Sequence, residues 1–129
     1  MNTSEGYNGK GVATYPNGDT YDGCFEDGHR VDDNGTYTYN AAEGEKEVYK
    51  GHWVNNQKHG IGKQSYIGLG QYYGAWENGE KCGEGVMIYV NKDIYSGNWK
   101  NGKKDGQGTY IFNDTMMKFV GKFRGGNMA

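Results

Sequence analysis

The sequence predicts an all-β protein: an elongated, single-layer, twisted antiparallel meander of β-hairpin repeats with about ten strands. Three observations carry that reading. The 129 residues include 24 Gly, 12 Tyr, 3 Trp and 4 Phe, yet only 34% of the chain is hydrophobic and its one leucine is Leu69. Aromatics and glycines stand at alternate positions, the period of a strand rather than a helix. That alternation recurs at a nearly constant interval along the chain. There are too few aliphatic side chains to fill a three-dimensional core, and disordered chains are poor in aromatics. Rings that cover backbone suit this composition better.

Each unit opens with an outgoing strand of pattern aromatic-x-Gly-x-aromatic. Tyr21, Gly23 and Phe25 set it, and Tyr49, Gly51 and Trp53 repeat it. Tyr72, Gly74 and Trp76, then Tyr95, Gly97 and Trp99, and last Phe119, Gly121 and Phe123 continue the series. The intervals between first aromatics are about 28, 23, 23 and 24 residues. A return strand follows, with Gly-x-Gly at its start and an aromatic four positions after the second glycine. These marks are Gly9, Gly11 and Tyr15; Gly60, Gly62 and Tyr66; Gly83, Gly85 and Tyr89; and Gly106, Gly108 and Phe112. The second unit is looser, with Asp32 in place of the first glycine, then Gly35 and Tyr39.

Asn-Gly pairs at Asn78-Gly79 and Asn101-Gly102 tolerate positive φ at both positions and close hairpins, and Asn17-Gly18 is a third such pair. Asn56 stands where a turn glycine is expected, a replacement that this geometry accepts. The glycines within strands clear space for rings. Gly97 removes the side chain that would stand between Tyr95 and Trp99, and cross-strand ring pairs each add about 0.5–1.5 kcal/mol beyond area burial.

This unit resembles the MORN repeat, whose pattern reads Y-x-G-x-W/F-x-x-G-x-x-x-G-x-G, over about residues 6 to 126. Residues 1–129 then form a single array, with units starting near 21, 49, 72, 95 and 119 and a half-repeat at each end. Bare half-repeats leave strand edges open, so either end-to-end association or a place in a longer protein is expected. The resemblance implies a non-catalytic scaffold. Proteins similar to this one serve in ciliary axonemes, notably radial spoke heads, and in protist cytoskeletons, while others sit at membrane junctions.

Catalytic and ligand chemistry finds little support. The stretch DGQGTYIF at 105–112 opens like a phosphate-cradling loop, but Ile111 stands where GxGxxG needs glycine and a strand follows instead of a helix. His29, His52 and His59 fall in different units without metal-ligand spacing. Asp32 and Asp33 are adjacent carboxylates with no sign of a pocket, and no serine has a nucleophile-elbow context. Cys24 and Cys82 read as free thiols, although Lys81 adjoins Cys82. The expectation is no enzyme, no metal and no cofactor.

The net charge of −2 gives no global pull toward nucleic acid, and none is expected as a partner. Nothing resembles a signal peptide or an apolar span, and Asn2 replaces the glycine that myristoylation needs. The Asn-x-Ser/Thr tripeptides at Asn2, Asn34 and Asn113 read as chance matches. A cytoplasmic, cytoskeleton-associated protein is expected, with a cilium or flagellum as a plausible setting from the resemblance.

Three surfaces are candidates for contact. The first is the aromatic face, comprising Tyr21, Phe25, Tyr49, Trp53, Tyr72, Trp76, Tyr95, Trp99, Phe119 and Phe123, expected to hold a peptide or helix of a partner protein. The second is an apolar patch on the opposite face, comprising Tyr73, Val86, Ile88, Ile111 and Val120, for self-association or another chain. Open sheet edges offer a further route to a homo-oligomer. The third is a basic cluster, comprising Lys100, Lys103, Lys104, Lys118, Lys122 and Arg124, which reads either as a solvated edge or as a weak contact for acidic lipid headgroups. Asp105, Glu84 and Asp114 dilute it. The acidic insertion NAAEGEKEV at 40–48 reads as a solvated loop or a partner contact, and Met116 and Met117 as local packing or an edge contact.

Overall fold

The computed structural model describes residues 6–40 and 46–128, and among them every regular element is a strand. Residues 41–45 of the acidic insertion lie outside the described residues, as does Asn2. The strands are β1 (Gly9–Thr14), β2 (Thr20–Glu26), β3 (His29–Arg30), β4 (Asp32–Thr38), β5 (Val48–Val54) and β6 (Gln57–Tyr66). They continue as β7 (Gly70–Glu77), β8 (Glu80–Tyr89), β9 (Ile94–Lys100), β10 (Lys103–Ile111), β11 (Lys118–Arg124) and β12 (Asn127–Met128). All belong to one antiparallel sheet that runs in chain order, with β3 joined to β2 beside that path.

Ten strands are long, as the repeat requires, and β3 and β12 are the two-residue additions. β3 and β4 are one return strand broken at Val31, whose N–H still donates to the Cys24 carbonyl at 3.0 Å. The hairpin turns share one geometry. Asp27-Gly28, Asn55-Asn56, Asn78-Gly79, Asn101-Gly102 and Gly125-Gly126 all have both φ angles between 50° and 94°. Two positive φ values in succession twist the turn to match the right-handed twist of the strands. Asn17-Gly18 differs from the hairpin pairs: it lies between β1 and β2, where the Asn17 side-chain carbonyl accepts from the Asp19 N–H at 2.9 Å.

The register puts glycine against glycine across the sheet: Gly51, Gly62, Gly74, Gly85, Gly97, Gly108 and Gly121 pair in turn. Space forces this. A Cβ on Gly97 would come within 2.5 Å of the Gln107 carbonyl, and one on Gly108 within 2.5 Å of the Tyr95 ring. The first glycine of each Gly-x-Gly does something else. β10 takes four residue steps from Lys104 to Gly108 where β9 takes two, from Gly97 to Trp99. The same bulge separates Lys58 from Gly62 and Lys81 from Gly85. Gly60, Gly83 and Gly106 lie inside these bulges with φ of 71°, 61° and 93°. The return strands therefore begin before those glycines, at Gln57, Glu80 and Lys103.

The core is a ladder of rings on one face. Tyr21, Tyr49, Tyr72 and Tyr95 are fully buried, and Phe25, Trp53, Trp76, Trp99 and Phe123 nearly so. Successive rings meet edge to face from Tyr7 to Phe119, with centroids 4.8–5.7 Å apart and interplanar angles of 75–89°. That geometry presents the positive edge of one ring to the negative face of the next. It lets a single layer bury its aromatics without a second sheet.

Candidate interaction surfaces

The polar atoms of the ladder are satisfied internally. Each first tyrosine donates its hydroxyl to the carbonyl three residues on: Tyr21 to Cys24, Tyr49 to His52, Tyr72 to Ala75 and Tyr95 to Asn98, at 2.8–3.1 Å. Each tryptophan Nε1 donates to a glycine carbonyl of the preceding unit: Trp53 to Gly35, Trp76 to Gly62 and Trp99 to Gly85, at 3.0–3.1 Å. Of the ten rings expected to meet a partner, Phe119 alone is half-exposed, and the other nine are interior. Apart from Tyr7 and Phe119 at the two ends of the ladder, accessible aromatic surface on this face includes an outer row, in which Tyr15, Tyr37, Tyr39, Tyr66, Tyr89 and Tyr110 pack half-buried against the ladder.

A cation lies over the rings in each of four successive units. Arg30 sits over Tyr15, Tyr21, Tyr37 and Trp53; Lys58 over Tyr39, Tyr49 and Trp76; Lys81 over Tyr66, Tyr72 and Trp99; Lys104 over Tyr89, Tyr95 and Tyr110. Each pairs across the hairpin with that unit's second aromatic: Arg30 with Phe25, Lys58 with Trp53, Lys81 with Trp76 and Lys104 with Trp99. Burial pulls the Lys58 ammonium down to about 8 against the attraction of Glu47, with a smaller contribution from the Lys81 charge. Burial and the neighbouring Lys104 also lower Lys81.

This row is absent from the sequence expectations, although a signal for it exists. Arg30, Lys58, Lys81 and Lys104 each stand five residues after the second aromatic of their unit. The finding divides the basic cluster: Lys104 folds onto the rings and donates to the Tyr89 hydroxyl at 2.9 Å. Lys100, Lys103, Lys118, Lys122 and Arg124 stay exposed, so the six do not act as one face.

The opposite face gathers the expected apolar residues. Tyr73, Val86, Ser96, Thr109 and Val120 pair in one row across β7 to β11, and Ile88, Ile94 and Ile111 in the adjacent row. Tyr73, Ile88 and Val120 are exposed, while Val86 and Ile111 are half-buried.

Between hairpins, two loops use the same lock. Asp19 accepts from the Tyr37 hydroxyl at 2.7 Å and the Asn40 N–H at 2.6 Å. Asp93 accepts from the Tyr110 hydroxyl and the Asn113 N–H, both at 2.8 Å. Burial raises the Asp19 carboxyl, but the bonds from Asn40, Tyr37 and Asn17 outweigh it and leave the group below its ordinary value. The Asn113 and Tyr110 bonds lower Asp93.

Among the described residues no group of three or more His, Cys, Asp and Glu is placed to hold a metal, and no helix is long and apolar enough to cross a membrane. Cys24 and Cys82 are free thiols, 24 exposed and 82 half-buried. The MORN repeat family model matches residues 4–20, 49–67, 72–94 and 95–117, more than half of the chain. No curated protein matches it.

Proposed function

The chain belongs to the MORN repeat family, and from that premise we propose that it is a scaffold holding a segment of a partner protein along its ring-bearing face, within a cytoplasmic cytoskeletal assembly such as a cilium or flagellum. Repeat modules of this family are non-catalytic and serve protein or membrane interaction. The observation that supports the protein reading is the outer row of half-buried tyrosines, which repeats along a rigid face. Half-buried rings on a fixed frame offer large contact area at little ordering cost.

The experiment must spare the ladder. Replacing Trp76 or Trp99 with Ala would remove buried core rings and confound folding with binding. Tyr66→Ala with Tyr89→Ala trims the outer row instead. Proteins crosslinked to the wild-type chain in its source cells should be lost from a folded double variant, as read by mass spectrometry. Retention of the same proteins at the same yield would refute the reading.

A second reading is contact with an acidic membrane surface. It is favoured by exposed Lys100, Lys103, Lys118, Lys122 and Arg124 at one end of the sheet. Each basic residue near such a surface contributes about 1 kcal/mol. Flotation with phosphoinositide-containing vesicles at low salt tests it, and absence of the protein from the floated fraction eliminates it.

A further inference from the structure

Lys58, Lys81 and Lys104 form a row of ammonium groups along the ring-bearing face, one per hairpin, each over three ring faces. An ammonium has three donors. Lys58 spends one on the Gln64 carbonyl at 2.7 Å, and Lys104 one on the Tyr89 hydroxyl. The Lys81 backbone carbonyl accepts from the Gly102 N–H at 3.0 Å, but its ammonium makes no hydrogen bond among the described residues and is not among the buried atoms lacking a partner, so it reaches solvent. The charges are also poorly balanced. Glu47 acts on Lys58 from one end of the row, and that carboxylate is already bonded to the Ile67 N–H. Lys81 feels chiefly the repulsion of Lys104. Arg30 differs, since Asp19 acts on it and it donates to the Tyr15 hydroxyl and the Asn56 carbonyl.

We propose that this lysine row binds an acidic amphipathic α-helix of a protein partner, with one carboxylate docked on each ammonium. The inference deepens the scaffold reading and rests on it. Successive hairpins displace the ammonium groups by two strand spacings, about 9.6 Å. Seven helical residues advance about 10.5 Å and return to nearly the same side of the helix. Acidic residues at every seventh position therefore keep step with three hairpins, and apolar residues between them meet the outer tyrosines. A helix suits the face for a second reason. Away from its edges and bulges the sheet spends its backbone groups on neighbouring strands, so an extended segment laid across the face would find few partners for its own N–H and C=O groups, whereas a helix satisfies them internally.

The test uses a labelled helical peptide with glutamate at every seventh position and leucine between, and a second peptide with glutamine for each glutamate. Fluorescence anisotropy should show the glutamate peptide binding about tenfold or more tightly, with the difference shrinking at high salt. Lys81→Met with Lys104→Met keeps alkyl stems over the rings and should cut the difference severalfold, with an unchanged circular dichroism spectrum confirming the fold. Equal binding of the two peptides, or no binding of either, overturns the acidic preference. Binding of either that ignores Tyr66→Ala and Tyr89→Ala places the helix off this face and overturns the scaffold reading too. Lysine-dependent capture of phosphatidylserine vesicles with no binding of the glutamate peptide would assign the row to lipid instead.

Discussion

At the residue scale, glycine and tyrosine are two halves of one packing unit. The Tyr95 ring lies over Gly108 and its hydroxyl reaches the Asn98 carbonyl, so the ring needs bare backbone beneath it. Gly108→Ala would set a methyl group within 2.5 Å of that ring in a site with no slack. It should lower unfolding free energy by about 2 kcal/mol or more, as measured by urea titration. Gly79→Ala is the contrast. Nothing stands within 4 Å of its Cβ position, and the cost there is the strain of φ at 83°, about 1 kcal/mol. A Gly108→Ala cost no greater than that of Gly79→Ala would show that the ring moves freely. The role of Gly97 and Gly108 was legible from period two alone. The role of Lys104 was not, because a lysine just after an Asn-Gly turn reads as solvated, and only the bulge at Gly106 brings it back over the rings.

At the element scale, the hairpin is closed at both ends by polar devices. The turn end uses paired positive φ, which Asn-Gly announces in the sequence. The loop end uses Asn-x-Asp, at Asn17 to Asp19 and again at Asn91 to Asp93, to bind a tyrosine hydroxyl and a backbone N–H on the next loop. The Asp93 carboxyl sits below its ordinary value because the Asn113 N–H and the Tyr110 hydroxyl favour its charged form. A lowered carboxyl stabilises the fold above its unfolded value, about 3.9, and loses that contribution as pH falls through the folded value. Asp93→Asn should therefore reduce the urea midpoint at neutral pH, and the gap from wild type should narrow below about pH 4. A gap constant down to pH 2 would separate the lock from its charge. The repeated lock was hidden by its distance. Asp93 meets Tyr110 across 17 positions of chain, and nothing in the tripeptide names that partner.

At the scale of the whole molecule, one aromatic face sets the pH response. Burial raises the hydroxyls of Tyr39 and Tyr66 to about 12, and those of Tyr21, Tyr49, Tyr72, Tyr95 and Tyr110 are raised as well. A raised tyrosine stabilises the fold fully below about pH 10 and loses this as pH climbs through its folded value. Lys58 has the opposite sign. Held down to about 8, its ammonium disfavours the fold below that pH, and the penalty lifts between 8 and its ordinary 10.5. The denaturation midpoint should rise from pH 8 toward 10 and then fall steeply, and Lys58→Met should remove the rise while leaving the fall. A rise that survives in the variant would place it elsewhere. The same architecture divides what each level of description decided. Composition, period two and the near-constant interval determined by themselves an antiparallel meander of hairpins with a ringed face, because strand alternation and turn chemistry are local. Only the tertiary structure decided that the ladder is closed, that an outer tyrosine row and a lysine row remain as its accessible surface, and that Lys104 leaves its basic neighbours. Those outcomes depend on how rings and cations from successive hairpins meet across strands, and the local pattern does not hold that geometry.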